Sequence, residues 1–109
     1  MADNLSFINW GFKPTTTIPE DKDYWLIMGI HIDGYSEYPT YWIFKRESYP
    51  VIDDASITKM VEYNYGEDSA ELDGNRYYLL WGGENAWQLS SYKEITLSQK
   101  EFLNSCGIY

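Results

Sequence analysis

The amino-acid sequence predicts an α+β fold: a mainly antiparallel sheet of five or six strands with a short C-terminal helix packed on one face. Three observations point there. Short apolar runs rich in β-branched and aromatic residues alternate with segments of Gly, Asn, Asp and Pro, the pattern of strands and tight turns. Two turn segments, Asp73-Gly74-Asn75 and Gly82-Gly83-Glu84-Asn85, lie close enough together to chain three antiparallel strands. A helix-start signature stands near the C-terminus, at Ser98 and Glu101.

Taken in order, Ser6–Phe12 (SFINWGF) reads as a first strand interrupted by Gly11, and Lys13–Glu20, with its prolines and threonines, as a loop. Tyr24–Ile32 (YWLIMGIHI) is a near-continuous apolar run, expected to be a central strand buried on both faces. Asp33-Gly34 supplies a turn, and Tyr41–Phe44 (YWIF) resumes the apolar character before Lys45-Arg46-Glu47. That implies a hairpin whose longer loop is GYSEYP. Ile57–Tyr65 fits two periods, because Ile57, Val61, Tyr63 and Tyr65 alternate while Ile57, Met60 and Val61 share a helical face. Its β-branched and aromatic content favours a strand. Tyr77–Trp81 (YYLLW) and Ala86–Leu89 (AWQL) are the next two strands. In the last element Ser98 is the expected cap, Glu101 completes a capping box, Leu97 staples against Phe102 and Gly107 ends the helix. Phe102 and Leu103 are expected to pack back on the sheet.

The chain has 109 residues, read as a single domain over 1–109 that buries roughly two-thirds of its unfolded surface. Apolar residues make up 44% of it, far from the composition of disordered chains. The acidity therefore belongs to a folded object: 17 Asp and Glu against 8 Lys and Arg give a formal charge of -9. Such a charge repels nucleic acid and attracts basic partners, and the only adjacent basic pair is Lys45-Arg46, so direct nucleic-acid binding is not expected. A single cysteine, Cys106, precludes an intrachain disulfide and fits a reducing compartment. MADNLSFINW has no basic region leading into an apolar run, and no stretch approaches the ~18 apolar residues of a membrane span. A soluble, cytoplasmic protein is expected.

No residue pattern points to catalysis, and the expectation is that the chain is not an enzyme. His31 is the only histidine and sits in an apolar run, which suits a buried, hydrogen-bonded side chain better than a general base. Cys106 has no cysteine or histidine companion at ligand spacing. The acids of Gly66–Gly74 lack the ligand pattern of a calcium loop, so neither a metal nor a cofactor is expected.

What remains is acidity and aromaticity. Glu67, Asp68, Glu71 and Asp73 crowd one segment, and Glu20, Asp21 and Asp23 precede the central strand. Were the two groups to converge at one end of the sheet, they would form a broad anionic face able to imitate a phosphate backbone. Twenty aromatic residues, five of them Trp, exceed what a core this small can fully bury. Tyr38, Trp81 and Trp87 flank turns and are candidate anchors for a partner. The pattern suggests a small inhibitor of a basic nuclease or other nucleic-acid-handling enzyme, acting by stoichiometric association. A toxin's immunity protein and a phage-encoded anti-defence or anti-CRISPR-type protein are two settings that fit. A carbohydrate-binding module, with Trp and Tyr stacking on sugar rings, is the alternative. A homo-oligomer that buries the surplus aromatics is a third reading.

Overall fold

A computed structural model describes residues 20–109, and the strand expected at Ser6–Phe12 lies outside the described residues. β1 (Tyr24–Asp33), β2 (Ser36–Lys45), β3 (Ala70–Leu72), β4 (Tyr77–Leu80) and β5 (Asn85–Ile95) form one antiparallel sheet in the order β2-β1-β5-β4-β3. α1 (Asp54–Tyr65) enters between β2 and β3, a single 3-10 turn (Trp81–Gly83) joins β4 to β5, and α2 (Leu97–Ser105) follows β5. The α+β class read from the sequence is the one observed.

β1 lies between β2 and β5, as a central strand should. It is not buried on both faces, however. Trp25, Ile27, Gly29 and His31 are buried while the residues between them are half-buried, so one face carries the core. The hairpin to β2 is also tighter than the six-residue loop expected, because Asp33 already pairs with Ser36 and only Gly34 and Tyr35 connect the strands. Gly34 at φ +63° supplies the backbone such a turn demands. Pro39 then falls inside β2, which it can do because β2 is an edge among the described residues.

The segment Ile57–Tyr65, read as a strand, is helical. Asp53 caps α1 by accepting the Ser56 N–H at 2.8 Å, and Ile57, Met60 and Val61 are its fully buried residues. The helical spacing of those three outweighs the strand propensity of the residues around them, since burial of one continuous face contributes more than propensity. β3 falls inside the acidic stretch, so Glu71 is a strand residue and the three consecutive antiparallel strands are β3, β4 and β5. α2 begins earlier than Ser98 suggested. Thr96 is its cap, with Gln99 returning the bond to the Thr96 N–H at 2.9 Å. Its end is as expected: Gly107, at φ +90°, and Ile108 donate to the carbonyls of Asn104 and Leu103, both at 3.0 Å, in a Schellman arrangement.

The core sits between α1 and the sheet. Trp87 lies flat across Gly29, where a Cβ would come within 2.1 Å of the indole. Glycine in mid-strand costs conformational entropy, and here the close approach of the ring requires it. The indole continues past Gly29, stacks on Trp42 at 4.7 Å and donates Nε1–H to Thr40 Oγ1 at 2.8 Å. Ile27, Tyr78 and Leu80 complete the sheet side of the cluster.

Candidate acidic and aromatic site

The sheet has two ends. At one, Tyr24 pairs with Lys45 and Ile95; at the other, Asp33 meets Ser36, and Leu80 meets Asn85. β1 separates the ends by about 30 Å at ~3.3 Å per residue.

At the second end four rings touch in series. Tyr38 stacks on His31 at 4.9 Å, His31 meets Tyr65 at 5.3 Å, and Tyr65 meets Trp81 edge-on at 5.6 Å. The outer two rings, Tyr38 and Trp81, are 48% and 45% exposed, whereas His31 is buried. His31 is hydrogen-bonded, as the sequence implied. Its Nε2 faces Asn85 Oδ1 at 3.1 Å, and since that oxygen only accepts, Nε2 carries the proton. In the neutral ring Nδ1 then accepts from the Tyr65 hydroxyl at 2.8 Å. Burial, with Tyr38 close by, pushes the Tyr65 phenol up to about 12, so it keeps the proton that this bond uses.

Trp81 adopts φ +51°, and Gly82 and Gly83 continue in the left-handed region. For a bulky residue this costs on the order of 1 kcal/mol. Its N–H donates to Ser69 O at 2.9 Å, which places the turn bearing Glu67 and Asp68 beside it. That turn is fixed from within, by Ser69 Oγ donating to Gly66 O at 2.6 Å.

The charge differs between the ends. Asp33, Glu37, Glu62, Glu67, Asp68 and Glu84 belong to the strand ends, turns and helix terminus of the aromatic end. At the other, Lys22, Lys45, Arg46, Lys93 and Lys100 stand among Glu20, Asp21, Asp23, Glu47, Glu94 and Glu101, so that end is mixed in charge. Lys22 O accepts from Arg46 Nη1 at 2.9 Å, Lys93 lies opposite Leu26, and the Lys100 ammonium stands 5.4 Å over the Tyr24 ring. Arg46 is further engaged there, with Glu94 at 3.3 Å and the Trp25 ring at 5.1 Å.

The sequence-predicted residues are therefore divided. Glu67 and Asp68 adjoin the aromatic series, and Glu71 and Asp73 continue along the outer β3 edge. Glu20, Asp21 and Asp23 lie at the opposite, mixed-charge end, where the Glu20 carboxylate accepts the Ser98 N–H at 3.0 Å. The two acidic groups do not form one face, because β1 runs the length of the sheet between them. Tyr38 and Trp81 offer accessible rings, but Trp87 is fully buried and cannot anchor a partner. Sequence reasoning missed Tyr65, which holds His31 and backs Trp81, and Asn85, which holds His31. Glu84 was missed as well, although it stands in the turn expected between the two tryptophans.

Among the described residues no cluster of His, Cys, Asp or Glu could hold a metal, and no helix is long and apolar enough to cross a membrane. Compared with protein families, curated proteins and solved structures, the chain matches none.

Proposed function

We propose that the chain is a small acidic binding protein that associates stoichiometrically with a basic protein, a nuclease or another nucleic-acid-handling enzyme, and blocks it. An immunity protein or a phage anti-defence protein acts in this way. The observation that carries the reading is the coincidence of half-exposed aromatic rings with one-signed charge at a single end of the sheet. Trp81 and Tyr38 are supported from behind by Tyr65 and His31, so a partner would meet pre-positioned rings at little entropic cost. Glu67, Asp68, Glu84 and Asp33 would steer a basic surface toward them and pair with its rim. The strained Trp81 backbone adds weight, since strain of this kind concentrates where a side chain is held for a purpose. Glu20, Asp21 and Asp23 have no part in this site. The same rings could stack on a sugar, but a sugar has no use for the surrounding charge.

The test is a pull-down from nuclease-treated lysate with three baits: wild type, Trp81→Ala and Glu67→Gln/Asp68→Asn. A salt-sensitive basic protein held by wild type, lost with Trp81→Ala and captured more slowly by the neutralised turn supports the proposal. The recovered protein's activity should then fall to zero at equimolar inhibitor. Equal capture by all three baits rejects the site.

A further inference from the structure

The outer edge of β2 has a composition and charge order that suit a second copy of itself. Among the described residues β2 is the edge of the sheet, ten residues long and exposed over most of them. Its backbone polarity follows from the hairpin. Arg46 N–H donates to Asp23 O at 2.9 Å, so the 23/46 pair is hydrogen-bonded. By alternation the even-numbered residues of β2 bond to β1, and the odd-numbered ones turn their N–H and C=O groups outward. Pro39 falls on the outward set, where its missing N–H costs the ladder nothing.

Glu37, Pro39, Tyr41, Ile43 and Lys45 thus form the outer edge among the described residues. Such an edge is a template for another strand, and native proteins usually shorten, charge or cover it. Here one proline interrupts it, and the two charges at its ends are opposite in sign. Among the described residues neither Glu37 nor Lys45 is in an ion pair.

We propose that two copies pair through β2, antiparallel and two-fold symmetric about Tyr41, to join the five-stranded sheets of their described residues into one. In that register Glu37 of each copy faces Lys45 of the other, Pro39 faces Ile43, and the two Tyr41 residues meet on the axis. Every outward pair exchanges two backbone hydrogen bonds except Pro39 with Ile43, which loses the one that Pro39 cannot donate. A register that set Pro39 against Pro39 would lose the same two donors but keep only three of the five outward pairs, and would no longer set Glu37 against Lys45. Because β2 runs from the acidic end to the mixed-charge end, the antiparallel pair keeps the two acidic ends apart. Tyr38 and Tyr41, 48% and 44% exposed, gain cross-strand neighbours. The dimer leaves the Trp81 ring, on the turn between β4 and β5, uncovered, while Tyr38 lies beside its seam.

The experiment is sedimentation equilibrium of the full chain at low salt over about 1 to 200 μM, with reductant present so that Cys106 forms no link. Wild type is expected to approach twice the 12.8 kDa chain mass. Glu37→Lys and Lys45→Glu each set like charges together twice per dimer, and should weaken association on the order of tenfold. The double variant Glu37→Lys/Lys45→Glu restores the pairs and should restore the dimer. Tyr41→Pro removes an outward N–H at the axis and should weaken it while leaving the β1–β2 ladder intact, which far-UV circular dichroism checks. A wild-type chain that stays monomeric throughout overturns the proposal. So does a dimer that ignores both reversals, or one that the double reversal fails to rescue.

Discussion

The two helices make an instructive contrast. α2 carries the better local signals, with a reciprocal capping box at Thr96 and Gln99 and a Schellman end at Gly107, yet none of its nine residues is buried. α1 has a simple aspartate cap and a sequence that also fits a strand, yet Ile57, Met60 and Val61 are inaccessible beneath it. Local hydrogen bonding decides where a helix starts and stops, whereas burial decides how much the fold depends on it. α1 should therefore fail globally when damaged and α2 locally.

The largest expected effect is at the centre of α1. Met60→Ala removes a fully buried side chain and should lower stability by about 3 kcal/mol, read from urea unfolding as a lower midpoint with unchanged slope. A loss below about 1 kcal/mol would show that α1 is no more integral than α2. Gly29→Ala tests the floor on which α1 and its core rest. The added methyl meets the Trp87 indole, which must leave its stack with Trp42, at a cost of about 2 kcal/mol. Near-ultraviolet circular dichroism should report the disturbed tryptophan pair even if the thermal midpoint moves little.

A smaller and differently distributed effect is expected in α2. Thr96→Ala removes the cap and should cost about 1 kcal/mol. Hydrogen exchange should then accelerate at Ser98 to Lys100 while the amides of β1 keep their protection. Acceleration across the whole sheet would mean that α2 and the core unfold as one unit.

The smallest effect is confined to high pH, where Tyr65 ties the end of α1 to β1 through His31. Its folded value near 12 lies above the unfolded value of 10.0, so the folded state holds the proton more tightly. The associated stability is complete below pH 10 and is lost as pH rises toward 12. Tyr65→Phe should flatten the fall of the thermal midpoint over that window. Tyr78, also raised by burial, leaves some slope in the variant.

How much was legible follows the same division. The turns at Asp33-Gly34, Asp73–Asn75 and Gly82–Asn85 and the end of α2 could be read because each depends on residues adjacent in sequence. The existence of an acidic, aromatic surface was readable from composition, and Tyr38 and Trp81 were among the rings expected to be accessible. α1 was misread because its two periods are equally present in the sequence, and only the sheet beneath it chooses between them. Trp87 was misassigned for a related reason: a ring beside a turn looks exposed until the glycine it covers, 58 positions earlier, is known to lie diagonally across on the neighbouring strand.

The sequence by itself determined the class of fold, the turns, both ends of the charge balance and the acidity of the whole, since these depend on residue type and short-range geometry. Only the tertiary structure decided that α1 is a helix, that Glu20, Asp21 and Asp23 stand apart from Glu67 and Asp68, and that four aromatic rings from distant segments form one series. The physical reason is that burial and electrostatic convergence are pairwise properties of residues far apart in the chain, and the pairing is made by the sheet.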